Sequence, residues 1–156
     1  MKKSLILVLI IVQLSCGYHL RSNNNLAENY PVIYLELSSR SLLKRSLSNA
    51  LISSGVELKN TLSSETTALV VNMDKLRKVI QSIGVNNQVQ EYRLEYDVEY
   101  RIGNEDNKTV HLEKDYSFDV QQIGGGQQEE LTLRKQLAED MAWAIIRQLN
   151  VSVSNK

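Results

Sequence analysis

The stretch from Gln88 to Ile102 constrains the fold more than any other part of the chain. Its odd positions from Glu91 to Arg101 are all charged, whereas its even positions from Tyr92 onward are apolar or aromatic. Because side chains on a β-strand point alternately to its two faces, this pattern predicts one long strand with an apolar face and a charged face. At about 3.4 Å per residue it would span about 50 Å, so it needs long neighbours and leaves one sheet face in water.

Two further segments alternate in the same way and predict those neighbours. The first runs from Thr67 to Ser82, and a change of parity predicts a bulge near Asp74-Lys75. The second runs from Lys108 to Gln122. The turns are predicted at Asn86-Asn87 and at Gly103 to Asp106. The apolar positions before the bulge are Leu69, Val71 and Met73, those after it are Leu76, Ile80 and Ile83, and those of the last strand are Val110, Leu112, Tyr116, Phe118 and Val120.

A strand and a helix are predicted ahead of these three strands. Val32 to Leu37 is a short β run that follows Pro31, the only proline. The helix is predicted to start at a cap on Ser38 or Ser39, to run to about Ser54 and to stop at Gly55. The residues with helical spacing that should face the sheet are Leu43, Leu47, Ala50 and Leu51, and those on the solvent side are Arg40, Lys44 and Arg45.

A second helix is predicted near the end of the chain. Gly124-Gly125-Gly126 should break the last strand, and the helix should run from Gln127 to Leu149. Glu129 and Glu130 complement its N-terminal dipole. Its apolar stripe consists of Leu137, Ala138, Met141, Ile145 and Leu149.

The element order β-α-β-β-β-α predicts an α+β fold. Three strands joined by tight turns form an antiparallel meander, and both helices can cover its apolar face in a two-layer sandwich. The first strand can join through its helix, which gives a four-stranded, mostly antiparallel sheet. We therefore expect one domain over 32–150, a polar connector from Val56 to Thr66, and a frayed tail over 151–156.

The N-terminus is typical of a secreted, lipid-anchored protein. Lys2 and Lys3 precede an apolar run from Ser4 to Leu14, which is too short for a span of about 20 residues. The run ends just before Cys16, the only cysteine, and resembles a bacterial lipoprotein signal. That resemblance implies a signal peptide over 1–15, acylation of Cys16, a tether over 16–31 and, because Gly17 follows, the outer membrane. The alternative is an ordinary secretory signal with a chance cysteine.

Composition restricts the function of the remaining 141 residues. They carry 16 basic and 18 acidic side chains, and a charge near −2 argues against a general nucleic-acid binder. No cofactor motif and no metal-ligand spacing occurs. Glu95, Asp97 and Glu99 share one strand face, where a glycosidase could use two carboxylates, but nothing apolar flanks them. The tyrosines Tyr92, Tyr96 and Tyr100 are interpreted as core residues rather than a ligand platform.

A family resemblance adds to this interpretation. Cys16-Gly17-Tyr18-His19-Leu20-Arg21 resembles the start of the mature LptE lipoproteins of lipopolysaccharide assembly. Gly55 to Leu58, Gln90 to Tyr92 and the last helix are similar to that family too.

The resemblance implies an outer-membrane lipoprotein that binds lipopolysaccharide and sits as a plug inside the LptD β-barrel. The residues themselves predict a binding and assembly subunit rather than an enzyme, because they supply no nucleophile, metal set or paired acid. Phosphate recognition would need basic side chains. The candidates for contact with lipopolysaccharide or the barrel are Lys75, Arg77, Lys78, Arg93 and Arg101. Two alternatives stay open: an outer-membrane adaptor of another envelope machine, and a cell-envelope hydrolase.

Overall fold

Five strands and three helices make up the described part of the chain, residues 25–117 and 123–154 of a computed structural model. In chain order they are α1 Asn25–Asn29, β1 Val32–Glu36, α2 Leu43–Ser53, β2 Glu57–Lys59, β3 Thr67–Ile83, β4 Val89–Ile102, β5 Lys108–Ser117 and α3 Ile123–Ser154.

The strands form a single mixed sheet in the order β2-β1-β3-β4-β5. β3, β4 and β5 are the predicted antiparallel meander, and β1 pairs in parallel with β3. The α+β class and the mixed sheet are therefore confirmed. The described residues contain one strand and one helix more than the sequence predicted.

The alternation along β4 is confirmed residue by residue. Leu94, Tyr96, Val98 and Tyr100 are fully buried, whereas the charged residues between them reach solvent. The register pairs Tyr96 with Leu76 of β3 and with Leu112 of β5. Directly paired residues share a face in an antiparallel sheet, so the buried positions of β4 define one covered face across the meander.

The bulge in β3 lies earlier than predicted. The register shifts between Val71 and Met73, at Asn72 and not at Asp74-Lys75. Asn72 is exposed and donates through Nδ2 to Asn107 Oδ1 at 3.2 Å. The side chain of Met73 consequently points away from the core, and the side chain of Asp74 points to the covered face. Apolar spacing alone could not locate the shift, because the polar Asn72 is the residue that leaves the ladder.

β2 was predicted as part of a polar connector, and this was wrong. Glu57 to Lys59 pairs in parallel with Val32 to Tyr34, and the Glu57 N–H donates to the Pro31 carbonyl at 2.9 Å. A three-residue strand has no periodicity of its own. It exists because β1 offers a free edge.

α2 begins later than predicted, at Leu43, so a cap at Ser38 or Ser39 was wrong. Instead, the Leu43 N–H donates to Ser41 Oγ at 3.0 Å, in the turn that precedes the helix. The predicted end is confirmed. Gly55 has a φ of +83°, a conformation that favours glycine, and a Cβ there would meet the Ala27 Cβ at 3.3 Å.

α3 extends beyond its predicted limits at both ends. It begins at Ile123, so the glycine triplet lies in its first turn, and it continues to Ser154 through the tail predicted to fray. Glycine disfavours a helix by only about 0.8–1.0 kcal/mol relative to alanine, and the buried later turns outweigh this. Glu129 and Glu130 therefore lie beyond the first turn. The predicted strand residues Phe118 and Val120 lie outside the described residues.

The core lies between the covered face of the sheet and the helices. All four predicted inward residues of α2 and all five of the α3 stripe are buried. α2 packs against α3, and α1 also contacts α3. Leu26 of α1 is fully buried although it belongs to the predicted tether. The helix layer covers one face of the sheet and leaves the charged face open.

No helix in the described ranges, 25–117 and 123–154, is both long and apolar enough to cross a membrane.

Candidate binding face

The uncovered side of the meander, here called the open face, is a charged surface built by cross-strand pairing. Odd residues of β4 define it: Glu95 lies between Arg77 and Glu113, and Asp97 lies between Lys75 and His111. The charged residues of the open face are Lys75, Arg77, Glu91, Arg93, Glu95, Asp97, Glu99, Arg101, His111, Glu113 and Asp115.

One cluster on the open face is centred on Asp97. Arg77 Nη2 lies 2.7 Å from Asp97 Oδ2 and 3.1 Å from Glu95 Oε2. On the other side, His111 Nδ1 lies 2.7 Å from Asp97 Oδ1. The bond to His111 is the main reason that the pKa of Asp97 is lowered. The bond to Asp97 in turn raises the pKa of His111. This cluster links all three strands of the meander.

A second cluster is centred on Arg93, which binds two carboxylates of β5. Its Nε and Nη2 donate to Asp115 at 2.6 and 2.8 Å, a bidentate geometry, and its Nη1 donates to Glu113 at 3.1 Å. The bond to Arg93 lowers the pKa of Asp115, and the same bond raises the pKa of Arg93. Cations and carboxylates of the open face thus largely satisfy each other.

Two of the predicted contact residues on this face stand outside both clusters. Lys75 is exposed and forms no ion pair with any residue of the described ranges. Arg101 is half-buried and donates through Nη1 to the Gly103 carbonyl at 2.6 Å. The open face therefore brings together four of the five candidates, Lys75, Arg77, Arg93 and Arg101.

The fifth candidate, Lys78, lies on the covered face, because the bulge at Asn72 puts it opposite Leu94. Lys78 Nζ is 2.7 Å from Glu130 Oε2 and sits 3.8 Å from the centre of the Tyr92 ring. Tyr116 Oη also donates to Glu130, at 2.8 Å. We call Lys78, Tyr92, Tyr116, Glu130 and Arg134 the Glu130 cluster.

The Glu130 cluster fixes α3 to the meander. Burial alone would raise the pKa of Glu130, but the hydrogen bonds from Lys78, Tyr116 and Arg134 outweigh it and bring the pKa to about 2. The sequence pattern missed this role of Glu130. The only signal for it was the parity of Lys78, which it shares with Leu76 and Ile80 on the apolar face of β3.

Tyr96 and Tyr100 are confirmed as core residues, and Tyr92 is partly buried against the core. The Tyr96 hydroxyl donates to Asp74 at 2.7 Å and the Tyr100 hydroxyl to Gln148 at 2.9 Å. Burial is the main reason that both pKa values are raised. Their rings and hydroxyls are therefore occupied by the protein itself. Within the described ranges, no three metal-ligating side chains form a group that could hold an ion.

The sequence of this domain matches a known protein family. Residues 30–149 match the family described as LptE, lipopolysaccharide-assembly. The chain belongs to the LptE family. The match covers β1 through most of α3, so it includes the whole meander and both long helices. Comparison with curated proteins finds no match.

Solved lipoprotein structures share the fold. The minor lipoprotein of Acinetobacter baumannii superposes with a TM-score of 0.67 at 23% identity, over 79% of this chain and 92% of that one. Rare lipoprotein B of Shewanella oneidensis superposes with a TM-score of 0.69 at 19% identity, over 80% of this chain and 96% of that one. Lipoprotein B of Nitrosomonas europaea superposes with a TM-score of 0.69 at 19% identity, over 80% of this chain and 85% of that one. At these identities the likeness concerns the fold alone.

Proposed function

We propose that this LptE-family chain is an outer-membrane lipoprotein subunit of the machinery that transports and assembles lipopolysaccharide. It would be anchored through acylated Cys16, bind lipopolysaccharide and plug the LptD barrel, with its domain on the periplasmic side and in the barrel lumen. The family match over residues 30–149 carries this proposal.

The open face supports the plug role. Barrel lumens of outer-membrane proteins are polar, and a rigid sheet whose exposed charges already satisfy each other can enter such a lumen without leaving many unpaired charges. Lys75 and Arg101 have their charges least compensated, so they are the first candidates for lipid phosphates or lumen carboxylates. Arg77 and Arg93 would bind these partners through guanidinium N–H groups that their own carboxylates leave free. Lys78 would have only an indirect role, because it holds α3 to the sheet through Glu130.

Recovery of the barrel and of lipopolysaccharide tests the proposal. The variant Lys75→Glu with Arg101→Glu reverses two open-face charges and leaves both clusters intact. It should reduce the recovery of both partners from detergent-solubilised outer membrane at low salt. The reduction should shrink at 1 M salt, where the screening length is about 3 Å. The matched control, Lys44→Glu with Lys114→Glu, reverses the same number of charges on α2 and on the covered side of the sheet.

Equal recovery by both variants would remove the open face from the mechanism. Recovery of a different outer-membrane complex, with no LptD-type barrel, would favour an adaptor of another machine. The hydrolase alternative loses Asp97 as a candidate general acid, because the bond to His111 lowers its pKa, whereas a general acid needs a raised one.

The anchor is tested separately by Cys16→Ser. Cells supplied with a fatty-acid probe should label the parent chain and not this variant, since Cys16 is the only cysteine of the chain. A labelled, membrane-bound variant would contradict the lipid anchor.

A further inference from the structure

A groove runs between α2 and α3 on the outer side of the helix layer, away from the sheet. Its volume is about 670 Å³, and Ala50 and Ala138, both buried, form its floor. Leu42 and Trp143 stand at its walls, 41% and 44% exposed. A large aromatic residue and a leucine therefore remain accessible beside a floor of small residues.

The charges around this groove are mostly positive. Arg40 and Arg45 line it from the α2 side and Lys135 from α3, against a single carboxylate, Glu139. None of these four side chains forms an ion pair with any residue of the described ranges. Three cations thus line an accessible groove of mixed polar and apolar residues, and no carboxylate of the described residues is paired with them.

This combination fits the surface of an anionic membrane. Tryptophan is enriched at the level of lipid headgroups, where its ring is apolar and its N–H is wet. Lysine and arginine beside it attract anionic headgroups, each strengthening binding about fivefold. On the open face, in contrast, the two clustered arginines already bind carboxylates and no large aromatic side chain is exposed among the described residues.

The position of the chain end favours the same occupant. α1 contacts α3, and Ala27 lies beside Gly55 at the end of α2, so the described chain begins at the helix layer. Cys16 precedes Asn25 by nine residues, and at about 3.6 Å per residue an acyl group there would lie within about 32 Å. An anchor at Cys16 would keep the helix layer close to the bilayer.

We propose that the groove between α2 and α3 docks on membrane surfaces that contain anionic phospholipid, with Trp143 at the headgroup level and with Arg40, Arg45 and Lys135 binding phosphates. This inference does not require lipopolysaccharide or the barrel. Vesicles that lack both can therefore test it separately from the proposed function.

The test uses the intrinsic fluorescence of Trp143, the only tryptophan of the chain. The full chain is mixed with vesicles of phosphatidylethanolamine and phosphatidylglycerol, or with phosphatidylcholine alone. With the anionic vesicles the Trp143 emission should shift to the blue, and brominated lipid should quench it. Neutral vesicles, or 1 M salt, should abolish the shift. Neutral vesicles are also the control for an N-terminal anchor, because an acyl chain inserts into neutral and anionic bilayers alike.

The variant Arg40→Gln with Arg45→Gln should weaken this response about 25-fold. The control Lys59→Gln with Lys114→Gln removes the same charge from the sheet and should respond like the parent. Absence of a shift, an equal shift with neutral vesicles, or equal weakening in both variants would overturn the proposal. A shift with a hexaglutamate peptide but not with vesicles would overturn it too, and would assign the groove to an acidic polypeptide.

Discussion

The open face and the groove between α2 and α3 both contain several basic residues, but the arginines of the open-face clusters are paired with carboxylates and those of the groove are not. On the open face, Arg77 and Arg93 each contact two carboxylates within 3.1 Å. In the groove, Arg40 and Arg45 contact no carboxylate of the described residues. The number of basic residues on a surface is therefore a poor guide to anion binding, and uncompensated charge is a better one.

The difference follows from the two kinds of secondary structure. Cross-strand neighbours lie about 4.5–5.5 Å apart, so alternating acids and bases on three long strands meet whenever the register allows. Two packed helices contact each other through their buried residues, and the residues on their outward sides lie farther apart. Charges such as Arg45 and Lys135 can then line one groove without finding a partner.

Substitutions on the two faces of β4 should differ strongly in their effect on stability. Leu94 is fully buried and Glu95, its neighbour, lies on the open face. Leu94→Ala should lower the free energy of unfolding by about 2–5 kcal/mol. Glu95→Ala removes an exposed ion pair with Arg77 and should cost less than about 1 kcal/mol. Urea unfolding measures both, and equal losses would contradict the assignment of the faces.

The second prediction concerns the Glu130 cluster, which is the charged part of the covered face. Glu130→Gln leaves Lys78 and Arg134 without their carboxylate and should cost about 1–3 kcal/mol. Glu129→Gln, next along α3 and exposed, is the matched control and should stay within about 0.5 kcal/mol. Similar losses in the two variants would show that Glu130 does not hold α3 to the sheet.

The stability of the covered face should also depend on pH through Glu130. The pKa of Glu130 falls from 4.5 to about 2 on folding. A lowered pKa stabilises the fold fully above pH 4.5, and that stabilisation is lost as the pH falls from 4.5 towards 2. The parent chain should therefore lose more stability over this window than Glu130→Gln does. Urea unfolding at a series of pH values measures this, and parallel curves of free energy against pH for the two chains would show that the Glu130 cluster does not stabilise the fold.

Sequence reasoning succeeded where one segment carries its own pattern. The strict alternation of β4 predicted its length and its buried face, and the spacing of Leu137 to Leu149 predicted the stripe of α3. It failed where the structure depends on a distant partner. β2 forms because β1 has a free edge, and the glycines of α3 are tolerated because later turns are buried.

The candidate site shows the same division. The charged character of the open face was predictable from the odd positions of β4. The partners of its cations were not, since they depend on the register between three strands. The pairing of Lys78 with Glu130 on the covered face is a further example, because it joins β3 to α3, which lie 52 residues apart in the sequence.

The smallest expected effect is the titration of His111 on the open face. Its pKa is raised mainly by the bond to Asp97 at 2.7 Å, so its NMR titration midpoint should lie above 6.5. A raised pKa adds stability below pH 6.5, and the gain is lost as the pH rises through the folded value. Because His111 is exposed, this gain should hardly change the free energy of unfolding. Asp97→Asn should move the midpoint back towards 6.5, and His111→Gln assigns the signal, since the chain has two histidines. A midpoint that ignores Asp97→Asn would mean that this cluster does not persist in solution, and the open face would then present uncompensated charge like the groove.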